Sequence, residues 1–600
     1  MSIFSGYTIG EWHQHLSLHA SDAATILTDY LASLPSDDEA WIYRATPQQI
    51  TDQLIPLLAQ LHDDPHSLPL FGVPFAVKDN IDIAGWPTTA ACPAFSYQAQ
   101  RDASAVARLK AKGAIVIGKT NLDQFATGLV GVRSPYGAVK NSFDPRYVSG
   151  GSSAGSASLV ARGLVPFALG TDTAGSGRVP AGFNNIVGLK PTKGWLSASG
   201  VVPACRLNDT LSVFALTVAD AFLVATLAAG EDAADAYSRR DPACAPAALP
   251  PSPLLAIPDE VTFFGDAQAG AAWQAALSQL QALGVRFKTI DFTPFSQLAE
   301  QLYTGPWVAE RTAAVGSMLD RPGEMDPTVH HIISQGKKFS AVDAWNAEYQ
   351  RAELSRQINA ALGEVDALLV PTSPTIHTLD EMQQEPVRFN SQFGTYTNFT
   401  NLADLAALAL PAPFRADGLP AGITLIAPAW HDRALADFGQ RWQQHLALAP
   451  GATARPLPAT ATPLPPSASH VRVAVVGAHL SGMPLNFQLT SRRAVWVEET
   501  TTAPCYRLFA LPGGPVKKPG LMRADSDSGR AIVVELWDIP LARFGEFVAE
   551  VPAPLGIGSL TLADGRVVKG FICEGLALSN ALDITASGGW RHWLATEGSR

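Results

Sequence analysis

Two short runs decide how this chain is read: Gly150-Gly151-Ser152-Ser153-Ala154-Gly155 and Thr171-Asp172-Thr173-Ala174-Gly175-Ser176-Gly177-Arg178. A glycine-serine run standing alone describes a flexible linker. These two instead flank a compact apolar stretch, Ala157 to Leu169, and the second brackets its serine with an aspartate and an arginine. The pattern predicts tight turns inside a folded core. Around them helical patterns alternate with short apolar runs, as in Ser104 to Lys112 followed by Ala114 to Gly118, which predicts α/β layers.

A chain of 600 residues exceeds what one core usually organises, and 47% hydrophobic content is ample for two or more domains. The net charge of -11 and the absence of a Lys/Arg run count against a nucleic-acid or anionic-membrane surface and point to a small soluble substrate. Five scattered cysteines without a CxxC pair suggest neither a disulfide framework nor a metal site; reduced thiols are expected. No apolar stretch reaches the roughly 18 residues of a membrane span, and the N-terminus lacks a signal-peptide pattern, so a cytoplasmic protein is expected.

Pro450 to Ser469 (PGATARPLPATATPLPPSAS) loses all apolar periodicity and reads as an extended, semi-rigid spacer. It divides the chain into a domain at 1–449, a linker at 450–469 and a second domain at 470–600. Short runs such as Val471 to Val476 and Ala531 to Trp537, separated by Gly and Pro turns, make the second domain mostly β or α+β.

Three readings compete for the chemistry. Gly113-Ala114-Ile115-Val116-Ile117-Gly118-Lys119-Thr120 matches the phosphate-loop pattern, but a helix precedes it and its middle residues form an apolar strand, which is the wrong context. Gly151 to Gly155 fits GxSxG with Ser153 as nucleophile, but no central strand leads into it, as that motif requires. Phe71 to Asn80 is an apolar strand ending at Lys78. A lysine held in a dry interior loses its proton more readily and could act as a base; the ordinary alternative is a lysine that snorkels to solvent.

These motifs together, VKDN at Lys78, GGSSAG at Ser152 and GTDTAGSGRVPA at Ser176, resemble the amidase signature family over roughly residues 20 to 440. The resemblance implies a mixed central sheet covered by helices and a Lys78, Ser152, Ser176 triad with Ser176 as nucleophile and Ser152 as bridge. It also implies a cis peptide at Gly151-Ser152. Thr173, Ala174, Gly175 and Ser176 offer consecutive backbone N–H groups for an oxyanion. Asp172 and Arg178 read as an internal brace. No metal and no cofactor are implied.

Within the family, Ala154, the TAGSGR variant, the run Thr120 to Gly131 and the segment Tyr303-Thr304-Gly305-Pro306-Trp307-Val308-Ala309-Glu310-Arg311 are similar to the allophanate hydrolase branch. Tyr303 and Arg311 are eight apart and would share one face of a single helix. Arg311 would hold a substrate carboxylate through its planar fork, with Tyr303 beside it and Gly128 presenting backbone. Val475 to Asn486 resembles the start of the C-terminal domain of that branch, related to the γ-glutamyl cyclotransferase-like group. The implied activity is deamination of allophanate to N-carboxycarbamate by the first domain, with decarboxylation assisted by the second and His479 as its candidate residue. The alternatives within the family are an amidotransferase A subunit or another small-amide amidase. A homodimer, and coupling to a urea carboxylase or a cyanuric acid/biuret pathway, complete the expectation.

Overall fold

A computed structural model of the protein describes residues 4–64, 67–459, 461–525 and 528–597. Thr460, inside the stretch read as a spacer, and the first three residues of the N-terminus lie outside the described residues. Contacts divide the chain into two units, residues up to 240 with 251–465, and 241–250 with those from 466 onward. No helix among the described residues is long and apolar enough to cross a membrane.

The first unit is built on an 11-stranded mixed sheet. In spatial order its strands are Trp41–Arg44, Ile115–Thr120, Pro74–Lys78, Phe167–Asp172, Thr210–Ala215, Val187–Lys190, Leu405–Ala412, Ala421–Pro428, Ala367–Pro371, Leu254–Pro258 and Arg286–Ile290. Pro74–Lys78 runs parallel to both of its neighbours, and every residue of these three strands is buried. Burial on both faces is why they read as continuous apolar runs with no alternation. The pairing Phe75 with Phe167 and Val77 with Leu169 brings the carboxyl ends of two strands level, at Lys78 and at Thr171-Asp172. Ligands of open α/β sheets bind beyond such ends.

The phosphate-loop match is a strand, as its apolar middle implies. Lys119 within it is buried, forms an ion pair with Asp79 at 3.0 Å, and donates to Pro87 O (3.0 Å) and Thr88 Oγ1 (3.0 Å). All three ammonium protons are spent inside the core, leaving none for a phosphate.

Two boundary expectations change. Asp241–Pro250, read from sequence as part of the first domain, groups with the second. The reason is local: Ala542 N donates to Ala243 O (3.0 Å) and His470 Nε2 meets Ala245 O (2.9 Å). The start of the proline-rich stretch is not a free spacer either. Gly451 N donates to Asn185 O (2.9 Å) and Ala452 N to Ala161 O (2.7 Å), and the chain groups with the first unit as far as Pro465.

The second unit holds a five-stranded sheet in the order Val495–Thr501, Val533–Pro540, His470–Val475, Val567–Cys573 and Leu555–Thr561. A three-stranded sheet and the helix Leu541–Ala549 accompany it, an α+β arrangement.

Candidate active site

Lys78 closes its strand with no exposed surface, and Nζ lies 2.8 Å from Ser152 Oγ, 3.0 Å from Ser153 Oγ and 2.7 Å from Thr171 Oγ1. Ser152 Oγ is in turn 3.0 Å from Ser176 Oγ. The three residues of the expected triad therefore form one continuous hydrogen-bonded line. Burial pulls the Lys78 ammonium down from its ordinary value to about 7, against the opposing charges of Asp123, Asp209 and Asp172.

Ser152 and Ser153 sit just before the helix Ala154–Ala161, whose eight residues are all buried and mostly small. The Gly151-Ser152 peptide is cis. Gly151 is required by close approach, since a Cβ there would collide with Asp123 Oδ2 and lie 2.6 Å from Gly131 N. Ser153 is committed elsewhere: its Oγ donates to Thr171 O (3.1 Å) and accepts from Lys78. Ser152 and Ser153 have no exposed surface, whereas Ser176 keeps 3%.

Asp172 and Arg178 form a fully buried bidentate pair, with Nε to Oδ2 at 2.9 Å and Nη2 to Oδ1 at 2.9 Å. Burial works against the Asp172 carboxylate, but the Arg178 guanidinium outweighs it and leaves the carboxyl below its ordinary range. Asp172 also accepts the N–H groups of Gly175 (3.0 Å) and Gly177 (3.0 Å). This corrects the expected oxyanion set. Gly175 spends its N–H on the brace that shapes the loop, while among the described residues the N–H groups of Thr173, Ala174 and Ser176 meet no acceptor.

The segment from Tyr303 to Arg311 is not one helix. Thr293–Thr304 ends at Gly305, Pro306 follows, and Val308–Val315 begins a new helix. The break replaces the two-turn stacking inferred from an eight-residue spacing, yet the side chains meet: the Arg311 guanidinium lies 5.5 Å from the Tyr303 ring centroid, with Nη2 3.5 Å from its hydroxyl. Arg311 is buried, and Nη1 donates to Thr127 Oγ1 (3.1 Å) and Ala126 O (3.3 Å), beside Gly128. Gly128 has φ +155°, and a Cβ there would lie 2.7 Å from Asp123 Oδ2. The Arg311 charge is felt at both Lys78 and Asp209, so this cluster and the serine line share one electrostatic neighbourhood.

Several residues that shape the site have no sequence signal of their own. Asp123 accepts the backbone N–H groups of Val130, Gly131, Val132 and Arg133 at 3.0 to 3.1 Å, closing the loop that contains Gly128. Thr171 takes one Lys78 bond, and Asp209 accepts the Thr173 hydroxyl. An aspartate followed within ten residues by a glycine pair such as Gly128 and Gly131 is the only hint a sequence could offer for the first.

In the second unit His479 follows the strand His470–Val475. Its Nε2 is 2.7 Å from Gln488 Oε1, and its ring stacks on Phe571 at 4.8 Å. It borders a cavity of about 110 Å³ with Lys518, Glu550 and Phe571. Burial lowers the imidazole from its ordinary value, and the nearby Lys518 charge adds to this.

A fully buried lysine joined through one serine to a second, next to N–H donors without an acceptor among the described residues, is the arrangement expected from the resemblance to the amidase signature family. The family comparison agrees: the amidase family model matches residues 31–436, and this chain belongs to the amidase family. The allophanate hydrolase C-terminal domain model matches residues 471–595. The chain is 44% identical to the urea amidolyase of Saccharomyces cerevisiae over 608 aligned residues, covering 98% of this chain and 33% of that one. Allophanate hydrolase of Kluyveromyces lactis superposes with a TM-score of 0.87 at 45% identity, covering 99% of this chain and 100% of that one. The A subunit of the glutamyl-tRNA(Gln) amidotransferase from Symbiobacterium thermophilum is 35% identical over 409 residues, 63% of this chain and 83% of that one. The chain thus spans about a third of the urea amidolyases it matches.

Proposed function

We propose that this chain hydrolyses allophanate, the carboxylate of urea at one nitrogen, releasing ammonia at the amidase domain and passing N-carboxycarbamate to the C-terminal domain for decarboxylation. The observation that carries the reading is the Lys78–Ser152–Ser176 line with a buried guanidinium, Arg311, in the same neighbourhood. The match of residues 471–595 to the allophanate hydrolase C-terminal domain supports allophanate among amides.

In this mechanism Lys78 is neutral. Two N–H bonds then serve Thr171 and Ser153, and the mechanism requires the lone pair to turn to the Ser152 hydroxyl, whose Oγ is 2.8 Å away. As Ser176 Oγ attacks the terminal carbonyl, its proton passes to Ser152 and the Ser152 proton to Lys78. The oxyanion settles on the N–H groups of Thr173, Ala174 and Ser176. The relay then runs backwards, protonates the amine, and the C–N bond breaks to release ammonia. Water repeats the sequence on the acyl-enzyme and frees N-carboxycarbamate.

Arg311 and Tyr303 hold the carboxylate, with Gly128 beside them. Arg311→Lys is expected to raise KM for allophanate about tenfold or more with a smaller change in kcat, because a point charge cannot reproduce the planar fork; an unchanged KM would count against carboxylate recognition. His479 acts on the second step, at the nitrogen that gains a proton as carbon dioxide leaves. His479→Ala is expected to leave the first ammonia per allophanate intact and to slow carbon dioxide release, followed by coupled assays for the two products. Slowed first-ammonia release would contradict this division of labour.

An ammonia-release assay with allophanate and with glutamine, each alone, tests the substrate: turnover of allophanate only is expected, and turnover of glutamine only would assign the chain to the amidotransferase role. A carboxylase acting on urea is the supplier this reading calls for, and a homodimer is its expected assembly, checked by light scattering.

A further inference from the structure

The turn from Pro203 to Asp209 connects the two ends of the site. On one side Glu310, the residue before Arg311, accepts the Leu207 N–H at Oε2 (3.0 Å) and the Cys205 thiol at Oε1 (2.9 Å). On the other side Asp209 accepts the N–H groups of Ala204 (2.8 Å) and Cys205 (3.1 Å) and the hydroxyl of Thr173, the first residue of the oxyanion cradle. Within the turn Asn208 Nδ2 donates to Cys205 Sγ (3.1 Å), and Asn401 Nδ2 spans Asp172 O (2.8 Å) and Asn208 O (3.0 Å). An unbroken run of hydrogen bonds therefore leads from the helix that carries Arg311 to the loop that carries Thr173.

Burial separates this run from an ordinary surface brace. Asp209 and Cys205 are buried, and burial drives the Asp209 carboxyl up to about 6 and keeps the Cys205 thiol protonated as a donor. Such enclosure costs stability unless each polar atom is satisfied, so the geometry is held to one arrangement. Allophanate, for its part, is rigid and short. Its carboxylate and its scissile carbonyl are separated by a single nitrogen, so it cannot adapt to a change in the spacing between anchor and cradle.

We propose that Glu310 is a positioning residue that fixes, through the Cys205–Asp209 turn, the span between Arg311 and the Thr173 cradle, and so matches the site to an anionic amide of one length. The proposal rests on the reading of the substrate above. Loss of the clamp leaves Arg311 able to bind the carboxylate but lets the carbonyl drift from Ser176, and a displacement of about 1 Å can cost roughly 10²-fold in rate.

Steady-state kinetics of ammonia release from allophanate test it. Glu310→Ala is expected to lower kcat about 10- to 100-fold with KM within about threefold of the wild type, the signature of lost transition-state alignment. Glu310→Gln, whose amide oxygen still accepts the Leu207 N–H, is expected to recover to within about threefold of the wild-type kcat. A rise in KM at unchanged kcat, no change in either, or a Gln variant as slow as the Ala variant would each overturn the proposal. Should Glu310→Ala not fold, Cys205→Ala removes one of the two bonds and is expected to give the same split at smaller size; wild-type values there overturn it equally. A wild type inactive on allophanate defeats the substrate reading instead, which an active wild type with a fully active Glu310→Ala does not.

Discussion

Ser176→Ala is expected to reduce ammonia release from allophanate to background, a loss of about 10⁴-fold or more. Position sets Ser176 apart. Ser176 alone of the three clustered serines keeps a trace of exposure, and its Oγ is the terminus of the line that begins at Lys78. Ser152 lies inside that line, hemmed by Lys78 on one side and Ser176 on the other. Ser153 has its hydroxyl proton committed to Thr171 O, so Ser153→Ala is expected to retain measurable turnover. Alanine at 176 removes only an oxygen, leaves the Asp172–Arg178 brace untouched, and should not change the thermal midpoint by more than the modest amount usual for a small substitution. Ammonia release near the wild-type rate by this variant would remove the nucleophile from the account.

Lys78→Ala is the second large effect. General-base assistance is worth about 10²- to 10⁴-fold, and here the same group also returns the proton to the leaving amine, so a fall toward the upper end is expected in kcat for allophanate. Lys78 has no exposed surface, and its three oxygen neighbours belong to two serines and a threonine with no carboxylate among them. That setting disfavours the ammonium. A lysine kept charged for stability would be ion-paired, as Lys119 on the neighbouring strand is with Asp79. Lys119 is tied to a carboxylate, whereas Lys78 faces the serine line, and that position is what supports a base role for Lys78. If Lys78→Ala kept a kcat within tenfold of the wild type, Lys78 would be returned to a structural role.

Much of this arrangement is legible in the sequence because it is written in short range. The glycine-serine turns, the apolar strand ending at Lys78 and the aspartate and arginine around Ser176 are local patterns, and the parallel register of the sheet carries their ends to one place. The wrong context of Gly113 to Thr120 is equally local. What escapes a reading of the sequence depends on tertiary contact. Asp123, Thr171 and Asp209 are single polar residues whose importance comes from the groups that surround them after folding. The break at Gly305-Pro306 is visible as a Gly-Pro pair, and such a pair ends a helix more surely than an eight-residue spacing continues one. The N–H of Gly175 is one of four in a row, and only the folded loop reveals that Asp172 takes it. The attachment of Asp241–Pro250 to the second unit rests on tertiary hydrogen bonds, from the Ala542 backbone and the His470 ring, that no composition could reveal.

The central claim is that a neutral Lys78 draws a proton from Ser176 through Ser152, and the pH dependence of kcat/KM for ammonia release from allophanate by the unaltered protein tests it most directly. The base works only when unprotonated, so its active fraction grows as pH rises through the Lys78 value of about 7. The expected profile climbs tenfold per pH unit below that value and levels off above it. A profile that is flat across it, or one that falls as pH rises through it, would contradict the relay.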